Sequence, residues 1–420
     1  MKNSNVIADL IEFIDNSPTA WQAADQAAAR LLSSGFKELK EGHAWQTEPG
    51  KKYFTVRNGS SLCAFIMPKQ IPESIALIGS HTDSPGFKLK PNPEFSRFNM
   101  TMLGLEVYGS PLLGSWLNRD LGIAGRIAFI DEGGRLQEMN VVLDQRPVII
   151  PQLALHLDRD VNKKGLVLNA QQHTSAIAAI DESGSGSYLE PILRDLVAFK
   201  QLLDHDLFVF PLDKARFVGR NEEMISSYRT DNLAGVHASL QGILSAEADD
   251  SALKMIVLWD NEEIGSATPQ GAESPYVLHV LERLVDRSDL LRLLPQSLCV
   301  SIDLAHGVHP NYSDRHDPNH SPLLGEGIVI KYNANQRYAT DARSSAMLQK
   351  VCADHKIPTQ KFVVRSDIPC GSTIGPLHAK VSGMPTVDIG IPQLSMHSAR
   401  ELIASADHIN MARLASAIFA

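Results

Sequence analysis

The chain has 420 residues, 44% of them apolar and 21% charged, with a formal net charge of -9. That acidic balance excludes a surface built for nucleic acid or an anionic membrane, and no apolar run approaches the ~18 residues of a spanning helix. The length exceeds what one hydrophobic core organises, so two domains are expected. Four cysteines (Cys63, Cys299, Cys352 and Cys370) are scattered without a C-x-x-C pair. Their spacing gives neither a thiolate zinc site nor a disulfide framework, and reduced thiols in the cytoplasm are the expectation.

Residues 6–15 read as an amphipathic helix (Val6, Ile7, Leu10, Ile11, Ile14), not as the continuous apolar core of a signal peptide. Ser17 is the expected cap of a second helix with Pro18 at its first position. That helix crosses an alanine-rich stretch to Leu32 and stops at Ser33-Ser34-Gly35. Alternating segments at 53–57, 62–67 and 74–79 predict strands, the last leading into Ser80-His81-Thr82-Asp83-Ser84-Pro85.

From about Phe87 to Tyr228 short strand-like runs dominate (105–108, 126–130, 141–143, 148–150), with a Gly/Ser tract at 182–187 expected to be a flexible loop. This block reads as a β-rich insertion within an α/β domain. The α/β rhythm then returns. A helix is expected over 233–246, strands at 253–259 and 298–303, and one helix between them at 276–294. Further strands are expected at 327–332, 360–364 and 386–389, and a last helix at 406–419.

The chemistry gathers at the ends of these strands, where open α/β sheets place their ligands. Met255 to Trp259 reads as a buried strand broken by Asp260-Asn261, after which Glu262 and Glu263 follow directly. In an extended segment the two carboxylates would point oppositely, so one can hold a metal while the other moves a proton. His81 and Asp83 follow a strand two residues apart, on one face, where Asp83 can accept the second ring N–H of a ligating His81. Asp231 precedes a helix, Asp303 ends a strand, and His397 follows Asp388-Ile389-Gly390-Ile391-Pro392. Taken singly, an Asp before a helix is a cap and a strand-end His is a surface residue. Five together (His81, Asp231, Glu263, Asp303, His397) point to two borderline divalent ions, zinc or else cobalt or manganese, with positions left for water and substrate.

Long motifs carry a resemblance. Ser80-His81-Thr82-Asp83-Ser84-Pro85, Arg229-Thr230-Asp231-Asn232, Asp260-Asn261-Glu262-Glu263-Ile264-Gly265-Ser266, Asp303 through Asn311, and Leu394-Ser395-Met396-His397-Ser398-Ala399-Arg400-Glu401 together resemble the aspartyl aminopeptidases. The likeness runs from Asn16-Ser17-Pro18 to the last helix and includes Trp116 through Leu121 and Asp367 through Pro376. It implies a three-layer α/β/α zinc-exopeptidase domain (1–87 and 226–420) interrupted by a β-rich dimerisation domain (88–225), with dimers building a dodecamer. It further implies two zinc ions per subunit, Asp231 bridging them, His81 and Asp303 on one, Glu263 and His397 on the other. Glu262 would be the general base, with Asp83 beside it in the catalytic set and the Asp231–Asn232 peptide cis. His156 would act in a neighbouring subunit. It stands in Ile150-Pro151-Gln152-Leu153-Ala154-Leu155-His156, where Gln152 replaces a histidine found in relatives. Lys331 would read the carboxylate of an N-terminal Asp or Glu, with His306, Tyr338, Ser372 and Thr373 as further substrate contacts.

Two alternatives stay open: a dinuclear amidase or deacylase of other specificity, and a non-catalytic oligomeric scaffold. The scaffold has no use for a general base beside an open metal site. Neither a G-x-S-x-G elbow, a P-loop nor a dinucleotide fingerprint is present.

Overall fold

The computed structural model describes residues 3–180 and 187–420, so most of the Gly/Ser tract expected to be a flexible loop lies outside the described residues. The chain packs as two compact units, one of Met1–Ser84, Ala215–Met396 and Glu401–Ala420, the other of Pro85–Lys214 with His397–Arg400. The edges read from sequence stood at 88 and 225.

In the first unit nine strands form one mixed sheet. Their spatial order is Lys37–Glu38, Lys52–Arg57, Ser61–Ile66, Ala252–Trp259, Ser74–His81, Leu298–Ile302, Thr386–Gly390, Ile328–Tyr332, Thr359–Val363. The four strands from Ala252–Trp259 to Thr386–Gly390 in that order are mutually parallel, so their carboxyl ends lie on one edge. Trp259 pairs with His81 in register, and the Thr82 amide donates to the Trp259 carbonyl at 2.7 Å.

Both faces of the sheet are dry, which is why its strands read as near-continuous apolar runs. Ile256 and Leu258 enter one core with Leu10, Phe13, Leu31, Leu240 and Leu414 of helices Asn3–Asp15, Ala20–Ser33, Thr230–Ser245 and Ser405–Ile418. Met255, Val257 and Trp259 enter the opposite core with Val280, Leu293 and Ile374 of helices Tyr276–Leu284, Arg287–Leu293 and Ile374–Ser382. The expected three-layer α/β/α arrangement is what this packing makes. A separate five-stranded sheet (Arg216–Val218, Met224–Ser227, Glu401–Ala404, Pro392–Leu394, Ala305–His306) completes the unit.

The second unit holds a six-stranded antiparallel sheet in the order Leu136–Val148, Leu121–Ile130, Gln201–Pro211, Gly86–Arg97, Met100–Tyr108, Ala176–Ile180. Trp116 is fully buried and meets Phe87 edge-on at 5.4 Å. Three of its strands, Gly86–Arg97, Ala176–Ile180 and Gln201–Pro211, have no counterpart among the runs read from sequence. Gly86–Arg97 contains Pro91 and Pro93, which a regular ladder rejects, and the pairing accommodates them through a register shift between Leu89 and Glu94.

Other expectations need correction. The second helix starts at Ala20 with Thr19 as its cap, because the Ala23 amide already donates to the Thr19 carbonyl, leaving Pro18 outside. The single helix expected at 276–294 is broken at Val285 and Asp286, both extended, and restarts at Arg287. Helices Ala342–Asp354 and Ile374–Ser382 were not read from sequence. The first buries Ser344 and Ser345 beside Leu348 and Cys352, so its inner face is half polar. Three of the four cysteines are buried and none is bonded to another. No helix among the described residues is long and apolar enough to cross a membrane.

Within the first unit a buried polar chain joins three helices. Asp9 Oδ2 accepts from Gln241 Nε2 at 2.7 Å and lies 2.9 Å from His237 Nε2, while His237 Nδ1 lies 2.9 Å from His408 Nε2. Both imidazoles are fully buried, and burial holds both below their ordinary proton affinity; Asp9 is held at about 2, chiefly by its bond to His237. Between the folded and unfolded values the unfolded chain binds more protons, so stability rises with pH there. The histidine contribution is complete above the unfolded value of about 6.5 and fades as pH falls below it. We expect urea midpoints to drop through this window, and His408→Gln, which can donate to His237 without titrating, to drop less steeply. An unchanged slope in the variant would exclude the chain as a source.

Candidate metal centre

His81, Glu262, Glu263 and Asp303 come from the ends of central strands or the segments just after them, and Asp231 comes from the helix start that follows Met224–Ser227. His81 closes its strand and is buried, with Nε2 at 3.4 Å from Asp303 Oδ1 and 3.5 Å from Asp231 Oδ1. Its other nitrogen, Nδ1, lies 3.3 Å from Asp83 Oδ1, the arrangement expected from their spacing. Asp83 also accepts the Glu262 and Glu263 amides at 3.1 and 3.0 Å. One buried carboxylate thus orients the imidazole and clamps the loop that carries both glutamates.

That loop is not extended. Glu262–Ile264 is one turn of 3-10 helix, entered through Asn261 in the left-handed region (φ 63°). The alternation argument for opposed glutamates therefore gives way to the one-third-turn offset between successive 3-10 residues, which also separates the two carboxylates.

Asp231 sits in a kink where the helix Thr230–Ser245 begins, and the Asp231–Asn232 peptide is cis, as expected. Its surroundings hold it from several sides. Buried Glu401 Oε2 accepts the Asp231 amide at 3.1 Å and the Thr230 hydroxyl at 2.8 Å. Ser84 Oγ donates to the Asp231 carbonyl at 2.6 Å, and Asn232 Nδ2 donates to the Ile302 carbonyl at 2.7 Å. Glu401 was missed as a positioning group. A carboxylate opening an otherwise apolar strand (Glu401-Leu402-Ile403-Ala404) is the signal that could have found it.

Among the described residues, ligand atoms of His81, Asp231 and Glu263 converge within 4.8 Å of one another. Burial, then the charges of Asp303, Asp83 and Asp231, push the Glu262 carboxyl up to about 8, while His81 pulls the other way. Glu263 is raised well above its ordinary value, first by burial and next by Glu262. Burial would lower His81, but its bonds to Asp231, Asp303 and Asp83 outweigh that and raise it. Carboxylates that drive one another's proton affinity into the neutral range, around an imidazole with one nitrogen already engaged by Asp83, fit a divalent cation of the oxygen- and nitrogen-binding kind.

The remaining expected residues fall as follows. Lys331 is 2% exposed, with Nζ donating to the Leu304 carbonyl at 2.8 Å and to Asp303 Oδ2 at 3.3 Å, and it lies 5.4 Å from the centre of the Tyr338 ring. His306 and Tyr338 line a cavity of about 300 Å³ together with Arg315, His316 and Arg365. Ser372 is exposed, and the Thr373 hydroxyl donates to buried Asp388 Oδ1 at 2.7 Å. His397 belongs to the second unit, where its Nδ1 lies 3.0 Å from the Ser110 carbonyl oxygen. His156 is exposed in a loop of the same unit.

With that geometry in hand, the comparisons are specific. Residues 13–419 match the Aminopeptidase I zinc metalloprotease family (M18). An M18 family aminopeptidase 2 of Pseudomonas aeruginosa is 42% identical, covering 98% of this chain and 97% of its own. The Ape4 chain in a complex with Nbr1 superposes with a TM-score of 0.95 at 35% identity, covering 99% of this chain and 86% of that one. A chain of the S. cerevisiae mApe1 dodecamer superposes with a TM-score of 0.84 at 27% identity, covering 99% and 95%. This chain therefore belongs to the M18 family and is a zinc-dependent aminopeptidase.

Proposed function

We propose that the enzyme removes N-terminal aspartyl or glutamyl residues from peptides, using two zinc ions in each subunit. The observation that carries the two-metal reading is the buried convergence of His81, Asp231 and Glu263, with Asp303 3.4 Å from His81 and Glu262 adjoining. His81 and Asp303 would hold one ion and Glu263 the other, with Asp231 shared; the family likeness adds His397. Cobalt or manganese could substitute, since the same donors suit them. Zinc bound there supplies Lewis acidity, which polarises a carbonyl and makes a water acidic near neutral pH.

The chain's own groups do the rest. Glu262 takes the proton of the attacking water on its carboxylate and returns it to the leaving amine. Asp83 keeps that carboxylate in place through the Glu262 amide and keeps His81 in one tautomer.

Two features support an acidic N-terminal residue. Lys331 offers a buried cation beside Tyr338, and an acidic side chain would pair with it where a neutral one would leave the pocket charge poorly matched. The neighbouring cavity carries Arg315, Arg365, His306, His309 and His316, and no Asp or Glu lines it among the described residues. Ser372 follows Gly371, which lines the cavity, and its hydroxyl donates to the Arg337 carbonyl at 3.4 Å.

An oligomer is supported by the second unit's surface. His156 is flanked by Leu153, Leu155 and Leu157, which are 60, 50 and 75% exposed, and a run of large exposed apolar residues is what an interface covers. We assign this unit to dimerisation, with dimers building a dodecamer; the yeast relative is itself a dodecamer. His156 would then serve a neighbouring subunit's site. Unpaired cysteines fit a reducing cytoplasm.

Glu262→Gln should lower kcat ~10²–10⁴-fold with zinc content and melting temperature unchanged; near-native turnover in a zinc-replete variant would overturn the base assignment. Aspartyl substrates should be cleaved one to two orders of magnitude better (~10–100-fold in kcat/KM) than leucyl ones. Lys331→Met should abolish that ratio while both ions stay bound, because removing a neighbouring cation leaves Asp303 the stronger ligand. A wild type that prefers leucyl substrates would overturn the specificity and leave the metallopeptidase standing. His156→Ala should lose activity without losing metal, and a monomer made by disrupting the oligomer should be nearly inactive. A fully active monomer would exclude action in trans.

A further inference from the structure

Outside the metal cluster, Asp388 is a fully inaccessible carboxylate in a strand whose neighbours are Val387 and Ile389. Burying a carboxylate there is costly unless donors surround it. Its oxygens collect three, each from a different segment. Ser301 Oγ donates to Oδ1 at 2.6 Å from the adjacent parallel strand, two residues before Asp303. Thr373 Oγ1 donates to the same oxygen at 2.7 Å from the start of helix Ile374–Ser382. The Ala339 amide donates to Oδ2 at 2.6 Å from the residue after Tyr338.

The backbone joins in as well, since the Asp388 amide donates to Thr340 Oγ1 at 2.9 Å. Gly375 makes the approach possible. A Cβ there would lie 2.3 Å from Asp388 Oδ1, so the carboxylate reaches the first turn of the helix only because that residue has no side chain. A carboxylate at a helix N-terminus is favourably placed against the helix dipole. The three segments carry Asp303 and Tyr338, which lie beside Lys331, and Ser372.

We propose that Asp388 is the positioning residue that holds the acidic-substrate pocket in register, tying the Asp303 strand, the Tyr338 loop and the Thr373 helix start to one carboxylate. This rests on the acidic preference put forward above. It also reassigns Thr373, whose hydroxyl faces Asp388 and acts through it. Lys331 lies close enough for its charge to favour ionised Asp388, against the burial that raises its proton affinity.

The test is Asp388→Asn, which keeps the shape and leaves one acceptor oxygen, so the Ala339 amide and the two hydroxyls can no longer all be served. KM for an aspartyl substrate should rise about tenfold while kcat changes far less, so the aspartyl-to-leucyl ratio of kcat/KM falls about tenfold, with bound zinc unchanged. Thr373→Val should reproduce the shift and Thr373→Ser should restore it, which keeps the test open if Asp388→Asn does not fold. A loss shared equally by kcat on both substrates, or Thr373→Val with the wild-type ratio, would overturn the assignment. A wild type without aspartyl preference would overturn the specificity reading and this inference with it. A wild-type preference that survives in the variants would overturn the inference alone.

Discussion

Five carboxylates (Asp83, Asp231, Glu262, Glu263 and Asp303) and one imidazole crowd the carboxyl edge of the parallel strands, and like charge in a dry place is the constraint on which the surroundings depend. Two like charges about 4 Å apart repel by roughly 4 kcal/mol at an effective dielectric of 20. Ligand atoms of His81, Asp231 and Glu263 lie within 4.8 Å. Nothing in an apolar core would keep such groups together, so each is tethered by a separate device. Asp83 clamps the glutamate loop by two amides, Glu401 takes the Asp231 amide, and Asn232 is tied to the Ile302 carbonyl. The sheet supplies rigidity because both its faces are packed, and chemistry set on strand ends inherits that rigidity. The repulsion among these carboxylates is also what suits the site to a cation.

How much of this could be read beforehand depends on whether a local pattern carried the information. Met255 to Trp259 was legible because a strand buried on both faces reads as an unbroken apolar run, and the polar residues after it then stand out. The pairing of His81 with Asp83 was legible because both lie on one face of the chain two residues apart. The Glu262–Ile264 turn was not, since one turn of 3-10 helix leaves no periodicity to detect. The strand Gly86–Arg97 was hidden by its own prolines, and the long helix expected at 276–294 gave no sign of its break at Val285. Glu401 and Asp388 were invisible as organisers for a deeper reason. Their partners lie far away along the chain (Thr230, Ser301, Ala339), and only the fold says which backbone amide meets which oxygen.

Lys331 shows where sequence reasoning divides evenly and structure decides. A lysine ending an apolar strand can snorkel to water or turn inward, and both are consistent with Gly327 through Asn333. It turns inward, its ammonium fixed by the Leu304 carbonyl and by Asp303 Oδ2. Asp303 is thereby a carboxylate with two faces, Oδ1 toward His81 and Oδ2 toward Lys331. On the function proposed above, binding of metal and reading of substrate charge would meet in one side chain. A cation drawn toward Oδ1 would compete with Lys331 for the electron density of Asp303, and the ammonium, less satisfied there, would become the better partner for an incoming carboxylate. Charge on the substrate would be felt most strongly when the metal side is filled. Selection of an acidic residue and readiness to cleave it would in that way be two consequences of the same buried aspartate.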